Sequence, residues 1–306
     1  MRHNGAMGNA ALEYFVVDVF TETALAGNPV SVVVDTIGMP TERMQAIARE
    51  FNLSETTFVQ RRSPVIEEAE GVRVRIFTTH EELAFAGHPT LGTARALKTL
   101  APEVVHDNTV TLALNVGPIP VRFDDKPGAT SVYGEMTQRD PEFGAELDSA
   151  IVARLTGLST DDLDPSAAPQ VVSTGTAFAI VVLRSADALA RLRVEQEEAT
   201  AWLRALGARW FFVLGPTGSK NPDFRARMQF NGGEDPATGS AAGCAISYLV
   251  ARGAVPSGQR IHLRQGVEIG RPSDLFLSAK TNSAKVTDVR VAGSTVLVAK
   301  GRLFLP

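Results

Sequence analysis

Three polar residues sit where a side chain could do chemistry: Glu55 within Asn52-Leu53-Ser54-Glu55-Thr56, His88 directly before Pro89, and Asp235 directly before Pro236. A carboxylate can take a proton and return it, and a histidine changes charge near neutral pH. Together they suit proton transfer on a small molecule. His88 and Asp235 are also linked by their surroundings. Pro89-Thr90-Leu91-Gly92-Thr93-Ala94 and Pro236-Ala237-Thr238-Gly239-Ser240-Ala241 both read Pro-x-x-Gly-[Ser/Thr]-Ala. A strand-like run ending in Phe77 or Phe230 precedes each copy, and an Ala-rich helical run follows. This pattern looks like an internal duplication. If a pseudo-two-fold axis relates the halves, His88 and Asp235 face one another across a cleft from equivalent helix entrances. Proline at the first helical position, with His88 or Asp235 at or near the N-cap, would leave free N–H groups as an anion pocket. Gly92, Gly239, Thr93 and Ser240 would keep that approach open.

Each residue also has an ordinary structural role open to it. Asp before Pro is a common capped helix start. His88 could be a hydrogen-bonded turn histidine, and Glu55 an exposed residue at a strand entrance. Cys244, in the Ala-rich run, suits a small buried hydrophobe. Asn28, between Gly27 and Pro29, suits a turn.

The elements that must position these residues are legible from periodicity. Glu13 to Phe20 reads as a strand, Gly27-Asn28-Pro29 as a turn, and Val30 to Val34 as a second strand. Met44, Ile47, Ala48 and Phe51 recur at helical spacing between Pro40 and Phe51. Strands follow at Thr56 to Gln60 and Val72 to Phe77, then a helix opened by Pro89 and running to Leu100. The second half repeats the order: a strand within Val171 to Leu183, a helix at Val194 to Leu206, strands at Trp210 to Leu214 and Phe224 to Phe230, and a helix from Pro236 through Val250. Both halves therefore read β-β-α-β-β-α, with further strands between them and after Ile261. Such sheets can curl around the Ala-rich helix of each half.

With 306 residues, the chain is long for one core, and halves of roughly 150 residues fit two domains. A formal net charge of −4, with acids and bases interspersed, argues against nucleic acid or an anionic membrane as partner. The single cysteine, Cys244, excludes an intrachain disulfide, a Cys-based zinc cluster and any mechanism needing two thiols in one chain. No apolar stretch approaches the roughly 18 to 20 residues of a membrane helix. Met1 to Ala11 lacks the build of a signal peptide and reads as a flexible extension, so a cytoplasmic protein is expected.

Gly27-Asn28-Pro29, Asn52-Leu53-Ser54-Glu55-Thr56, Phe85-Ala86-Gly87-His88-Pro89-Thr90 and Gly233-Glu234-Asp235-Pro236-Ala237-Thr238-Gly239-Ser240-Ala241 occur in the order seen in PhzF-like phenazine biosynthesis proteins. The chain resembles that family from about Tyr14 to Leu305. The resemblance implies an α+β fold of the diaminopimelate epimerase type: two pseudosymmetric domains, each a curled, mostly antiparallel sheet around a central helix. Residues 13–128 with 290–306 would form the first half, 129–289 the second, and 1–12 a flexible extension. It implies catalysis by Glu55, His88 and Asp235, and substrate contacts at Asn28, Gly87, Gly239 and Ser240. It further implies a homodimer, no metal or organic cofactor, and a small carboxylate-bearing substrate. In the characterised branch the reaction is isomerisation of trans-2,3-dihydro-3-hydroxyanthranilate.

Epimerases and racemases of this architecture use two facing thiols, and those places would fall on Ala86 and Thr238. A two-thiol racemase is not expected. Carboxylate-based epimerisation or lysis of another small amino or hydroxy acid stays open, as does a noncatalytic binding protein of the same fold. Thr79-His80-Glu81-Glu82-Leu83 lacks the proline usual in the family near Thr79.

Overall fold

Clean alternation in Gly117–Asp124 buries one face of that strand, whereas Asn28–Val33 and Phe211–Pro216 are buried along nearly their whole length. The first pattern belongs to a sheet wetted on one side, the second to strands covered on both. The computed structural model describes residues 11–124, 128–219, 221, 223–230, 233–283 and 285–305. Its architecture is mixed α/β with strands dominant, most of them in one long curled sheet.

Starting from Ala11–Val19, pairing runs antiparallel to Asn28–Val33, parallel to Glu55–Gln60, antiparallel to Val72–Phe77 and parallel to Thr109–Leu114. It continues antiparallel to Gly117–Asp124 and Val132–Thr137. The same succession of directions recurs from Gln170–Ser173 through Ala177–Val182, Phe211–Pro216, Phe224–Arg227, Ile261–Gln265 and Ser273–Asn282 to Lys285–Phe304. That last strand is 20 residues long and belongs to both series. Its first part pairs with Val132–Thr137 and its second part with Ala11–Val19, so the first series closes on itself while remaining joined to the second.

A helix fills each curl. Gly87–Leu100 packs inside the first ring, and Gly239–Ala251 lies against Ser273–Asn282, Lys285–Phe304 and Ala177–Val182. Every residue from Gly239 to Val250 is buried, as the absence of a polar face in its Ala-rich sequence requires. The outer helix Thr41–Phe51 buries Met44, Ile47 and Ala48, the spacing read from the sequence. One apolar core runs through both central helices and both series of strands.

The two central helices do not begin where the Pro-x-x-Gly motif places them. The first starts at Gly87, two residues before Pro89, and the second at Gly239, three residues after Pro236. Proline fits within a first turn because the N–H it lacks has no helical partner there. Before the second helix, Thr238 Oγ1 donates to Asp235 Oδ2 at 2.7 Å, while the Gln265 side chain accepts from Thr238 N and donates to the Asp235 carbonyl. These bonds hold Asp235 to Thr238 as a turn outside the helix. Gly87 therefore stands opposite Gly239, and the sequence motif, which matches Gly92 to Gly239, is out of register with the structure.

The edge strand Glu142–Glu146 and the short helices Pro64–Glu70 and Ser149–Thr156 were not anticipated, and the expected strand Phe224 to Phe230 is interrupted at Met228. Of the expected extension, residues 1–10 lie outside the described residues. Ala11 and Leu12 instead begin the first strand, paired with Phe304 and Leu303. No helix among the described residues is long and apolar enough to cross a membrane.

Candidate active site

Parallel pairing of Asn28–Val33 with Glu55–Gln60 sets the start of both strands side by side, with Val30 opposite Glu55. Asn28 and Glu55 thus arrive at one end of the sheet, beside the central helix that carries His88. The turn before Asn28 is clamped from the other half of the chain. Arg271 donates from Nε to the Gly27 carbonyl at 2.7 Å and from Nη2 to the Ala26 carbonyl at 2.8 Å, and Nη2 also meets buried Asp18 at 2.8 Å.

Gly87 and Gly239 bring the two helix starts into backbone contact. A Cβ on Gly87 would lie 2.5 Å from both the Gly239 carbonyl carbon and the Ser240 nitrogen. Only glycine permits that approach. Gln138 braces the same junction from Nε2 to the Gly239 carbonyl at 2.9 Å, with its own Oε1 receiving the Thr174 hydroxyl.

This framework gathers the polar residues. Asn28 Nδ2 donates to Asp235 Oδ1 at 2.7 Å and to the Ala237 carbonyl at 2.9 Å, which uses both of its hydrogens. His88 Nδ1 lies 3.1 Å from the same nitrogen, a third contact for two hydrogens, and the Pro29 backbone beside the ring favours its protonated form. We assign the ring proton to Nδ1, which leaves a lone pair on His88 Nε2. Glu55 Oε2 faces it at 3.3 Å, and neither atom hydrogen-bonds any other described group. Ser54 Oγ lies 3.4 Å from Asp235 Oδ1.

Burial sets the charge states. Desolvation holds Glu55 well above the ordinary glutamate range, and the charge of Asp235 pushes the same way. Desolvation also raises Asp235 to about 6, against the bonds from Thr238, Asn28 and Ser54. His88 is lowered to about 3 by burial, with the Pro29 bond opposing. The histidine is neutral at physiological pH, and a protonated Glu55 is the donor that matches its free lone pair.

Glu55 opens on a cavity of about 640 Å³ whose wall is drawn from strands of both series and the segments beside them, including Phe85, Phe178, Trp210 and Phe230. Asp235, Thr238 and Ser240 also line it. His88, Asn28, Gly87 and Gly239 do not: His88 and Asn28 stand behind the reactive carboxyls, and the two glycines join the helix starts. Ala86 and Thr238, the N-caps of the central helices, both reach the cavity wall. Cys244 is buried beside Thr174, with its thiol pushed up to about 12 by burial.

Sequence reasoning did not find Asp18, Gln138, Gln265 or Arg271. Each is a polar residue whose partner lies far along the chain, and no local pattern marks it.

Residues 17–301 match the model of the phenazine biosynthesis-like protein family. The chain belongs to that family. It is 36% identical over 295 residues to the trans-2,3-dihydro-3-hydroxyanthranilate isomerase of Pseudomonas aeruginosa, covering 95% of this chain and 99% of the relative. The structure of a predicted epimerase from the same organism is 34% identical, with a TM-score of 0.82, covering 96% of this chain and all of that one. The fold extends to a hydroxyproline epimerase from Agrobacterium vitis at 12% identity and a TM-score of 0.63, covering 96% and 91% of the two chains. Family membership and the isomerase class agree with the sequence expectation.

Proposed function

We propose that this chain is an isomerase that moves a proton between carbons of a small carboxylate-bearing substrate such as trans-2,3-dihydro-3-hydroxyanthranilate. The reaction takes place in the cleft between two pseudosymmetric halves, residues 13–128 with 290–306 and residues 129–289. The observation that carries this reading is Glu55: a desolvated carboxyl on the wall of an aromatic-lined cavity, backed by the lone pair of a neutral histidine. The relative named trans-2,3-dihydro-3-hydroxyanthranilate isomerase supports the substrate class.

In its charged form Glu55 takes a proton from one substrate carbon. The electron pair left behind delocalises along the double bonds, and the glutamic acid returns the proton at another carbon. A raised pKa makes Glu55 a stronger base for the first step and keeps the proton available for the second. Asp235, close enough to repel a second charge, favours one proton shared across the pair near neutral pH. His88 accepts a hydrogen bond from the acid form and fixes its rotamer, while Asn28 holds Asp235. Ala86 and Thr238 can exchange no proton with a carbon acid, so nothing at those positions replaces Glu55. The proposal requires no metal or organic cofactor, and it carries a homodimer and a cytoplasmic location over from the family.

The test is an NMR assay in D₂O of wild type and Glu55→Gln with this dihydroaromatic acid and a panel of small amino and hydroxy acids. Glu55-dependent isomerisation with deuterium incorporation is expected. Deuterium exchange confined to another acid moves the substrate, and turnover surviving in Glu55→Gln removes the proton carrier. Tight binding without chemical change would favour a binding protein.

A further inference from the structure

Glu55 and Asp235 resist carrying two charges at once, so the reaction depends on which of them holds the proton. The donors around Asp235 bear on this, because the direction of each is fixed from outside the pair. Asn28 Nδ2 also bonds the Ala237 carbonyl, which can only accept, so the amide nitrogen is the atom that faces Asp235 Oδ1. On the other oxygen, Oδ2, the partner is the Thr238 hydroxyl at 2.7 Å. A hydroxyl can donate or accept, and its direction follows from what else it touches.

That second contact is Gln265, fully buried at the end of the strand Ile261–Gln265. Its Oε1 accepts from Thr238 N at 3.0 Å, so its Nε2 is the atom that meets the Asp235 carbonyl at 2.8 Å and Thr238 Oγ1 at 3.0 Å. Both amide hydrogens are then used. Thr238 Oγ1 accepts one of them, and its own single hydrogen is directed at Asp235. A proton on Asp235 Oδ2 aimed at Thr238 would leave the threonine hydrogen buried without an acceptor, which is costly. Glu55 Oε2, by contrast, meets no donor among the described residues. The neighbouring charges are accounted for: Arg227 matches Glu234, the acid adjacent to Asp235, through bonds of 2.9 and 2.5 Å, and His88 is neutral.

We infer that Gln265 is a positioning residue for the reaction: by turning the Thr238 hydroxyl toward Asp235, it keeps Asp235 as the charged carboxylate and leaves the shared proton on Glu55. The inference rests on the isomerase reading, in which Glu55 is the proton carrier, but its test does not depend on turnover. The carboxyl carbons of Glu55 and Asp235, enriched in ¹³C and assigned through Glu55→Gln and Asp235→Asn, are followed by NMR from about pH 5 to about pH 9. The proteins compared are wild type, Gln265→Met, Thr238→Val and Thr238→Ser. None of these three substitutions changes a charge, so Arg49, His80 and Glu81 on the same cavity wall act alike throughout.

At about pH 7 wild type should show Asp235 ionised and Glu55 protonated. Thr238→Val removes the hydroxyl but keeps both bonds from Gln265 to the backbone of the turn, at Thr238 N and the Asp235 carbonyl. It should raise the midpoint of Asp235 and lower that of Glu55, each by about one pH unit, the worth of one hydrogen bond to a charged group. Gln265→Met should move both midpoints in the same directions, and Thr238→Ser should keep the wild-type values. An ionised Glu55 beside a protonated Asp235 in wild type would overturn the inference. So would unmoved midpoints in Thr238→Val or in a folded Gln265→Met, which would leave Gln265 a brace for the turn alone. Where Gln265→Met fails to fold, the two Thr238 variants carry the test. Turnover that survives Glu55→Gln would remove the catalytic reading and leave the placement of the proton standing, so the two failures are distinguishable.

Discussion

On the proposed reading, Glu55 owes its readiness to exchange a proton to where it is held, because its Oε2 meets no hydrogen-bond donor among the described residues to stabilise the charged form. That state has a cost to stability with a definite sign. A carboxyl whose folded pKa is raised imposes no penalty below its unfolded pKa, where both states are protonated, and an increasing one as pH rises toward the folded value. Glu55→Gln removes the ionisable group. We expect this variant to lose turnover by on the order of 10² to 10⁴. It should also melt higher than wild type at about pH 8, by ~2 °C for each kcal/mol relieved, with the gain vanishing near pH 4 to 5 as the unfolded wild-type chain takes up the proton that the folded state already holds. Thermal melts at the two pH values read this directly, and a gain independent of pH would contradict the burial argument. His88 yields a separate expectation. With its pKa at about 3 the ring stays neutral through the working range. Its ring nitrogen resonances, assigned by comparison with a His88→Gln variant, should keep the separation of a neutral imidazole from about pH 5 to about pH 8, with only small shifts as the neighbouring carboxyls titrate. A titration near the ordinary histidine value would show that the ring is charged there and donates to Glu55.

At the scale of elements, the two central helices depend on a contact that allows no side chain. An added methyl on Gly87 would meet backbone of the opposing helix at 2.5 Å, whereas one on Gly239 would meet Phe20 Cζ at 3.0 Å and backbone no closer than 3.2 Å. The first clash cannot relax without moving a helix, and the second can be eased by a ring. Gly87→Ala should therefore cost about 1 to 3 kcal/mol and most of the activity, with Gly239→Ala milder in both. Chemical denaturation and turnover of the two variants give the comparison, and equal costs would contradict it. The same junction shows what the sequence could and could not disclose. Strand alternation, the Met44-Ile47-Ala48 stripe and the Ala-rich run disclosed the elements because each is a local consequence of burying one face or all faces. The chemistry-bearing motifs pointed to Glu55, His88 and Asp235, which the fold brings together. The true pairing of Gly87 with Gly239 was hidden behind a stronger coincidence, the shared Pro-x-x-Gly-[Ser/Thr]-Ala run. Its prolines do different jobs, one inside a first turn and one in a turn that Thr238 and Gln265 hold open. Gln138 and Arg271 were illegible because their role is to reach carbonyls of residues distant in sequence, and a polar residue in a strand or loop gives no sign of that.

Across the whole molecule the two series of strands, which we propose as two halves, are tied at three levels. Lys285–Phe304 hydrogen-bonds to strands of both series, one apolar core passes through both central helices, and the Asn28 to Asp235 bond joins the halves at the site itself. The Arg271 clamp on Ala26 and Gly27 adds a further cross-tie next to Asn28. A half separated from the other would leave part of that core open to water and a buried carboxyl without its donors, both of which are strongly unfavourable. The halves should therefore unfold together even though the strand pairing repeats. The two tryptophans, Trp202 and Trp210, both lie in the second half, so their fluorescence reports on that half alone, while far-UV circular dichroism reports on the secondary structure of both. In a denaturant titration the two signals should trace one coincident transition. Arg271→Gln should move both midpoints down together and lower turnover through the loosened Asn28 turn. A fluorescence transition that separates from the dichroism would show that the second half folds alone, and would place the joint between the halves, with the site built across it, among the weakest parts of the structure.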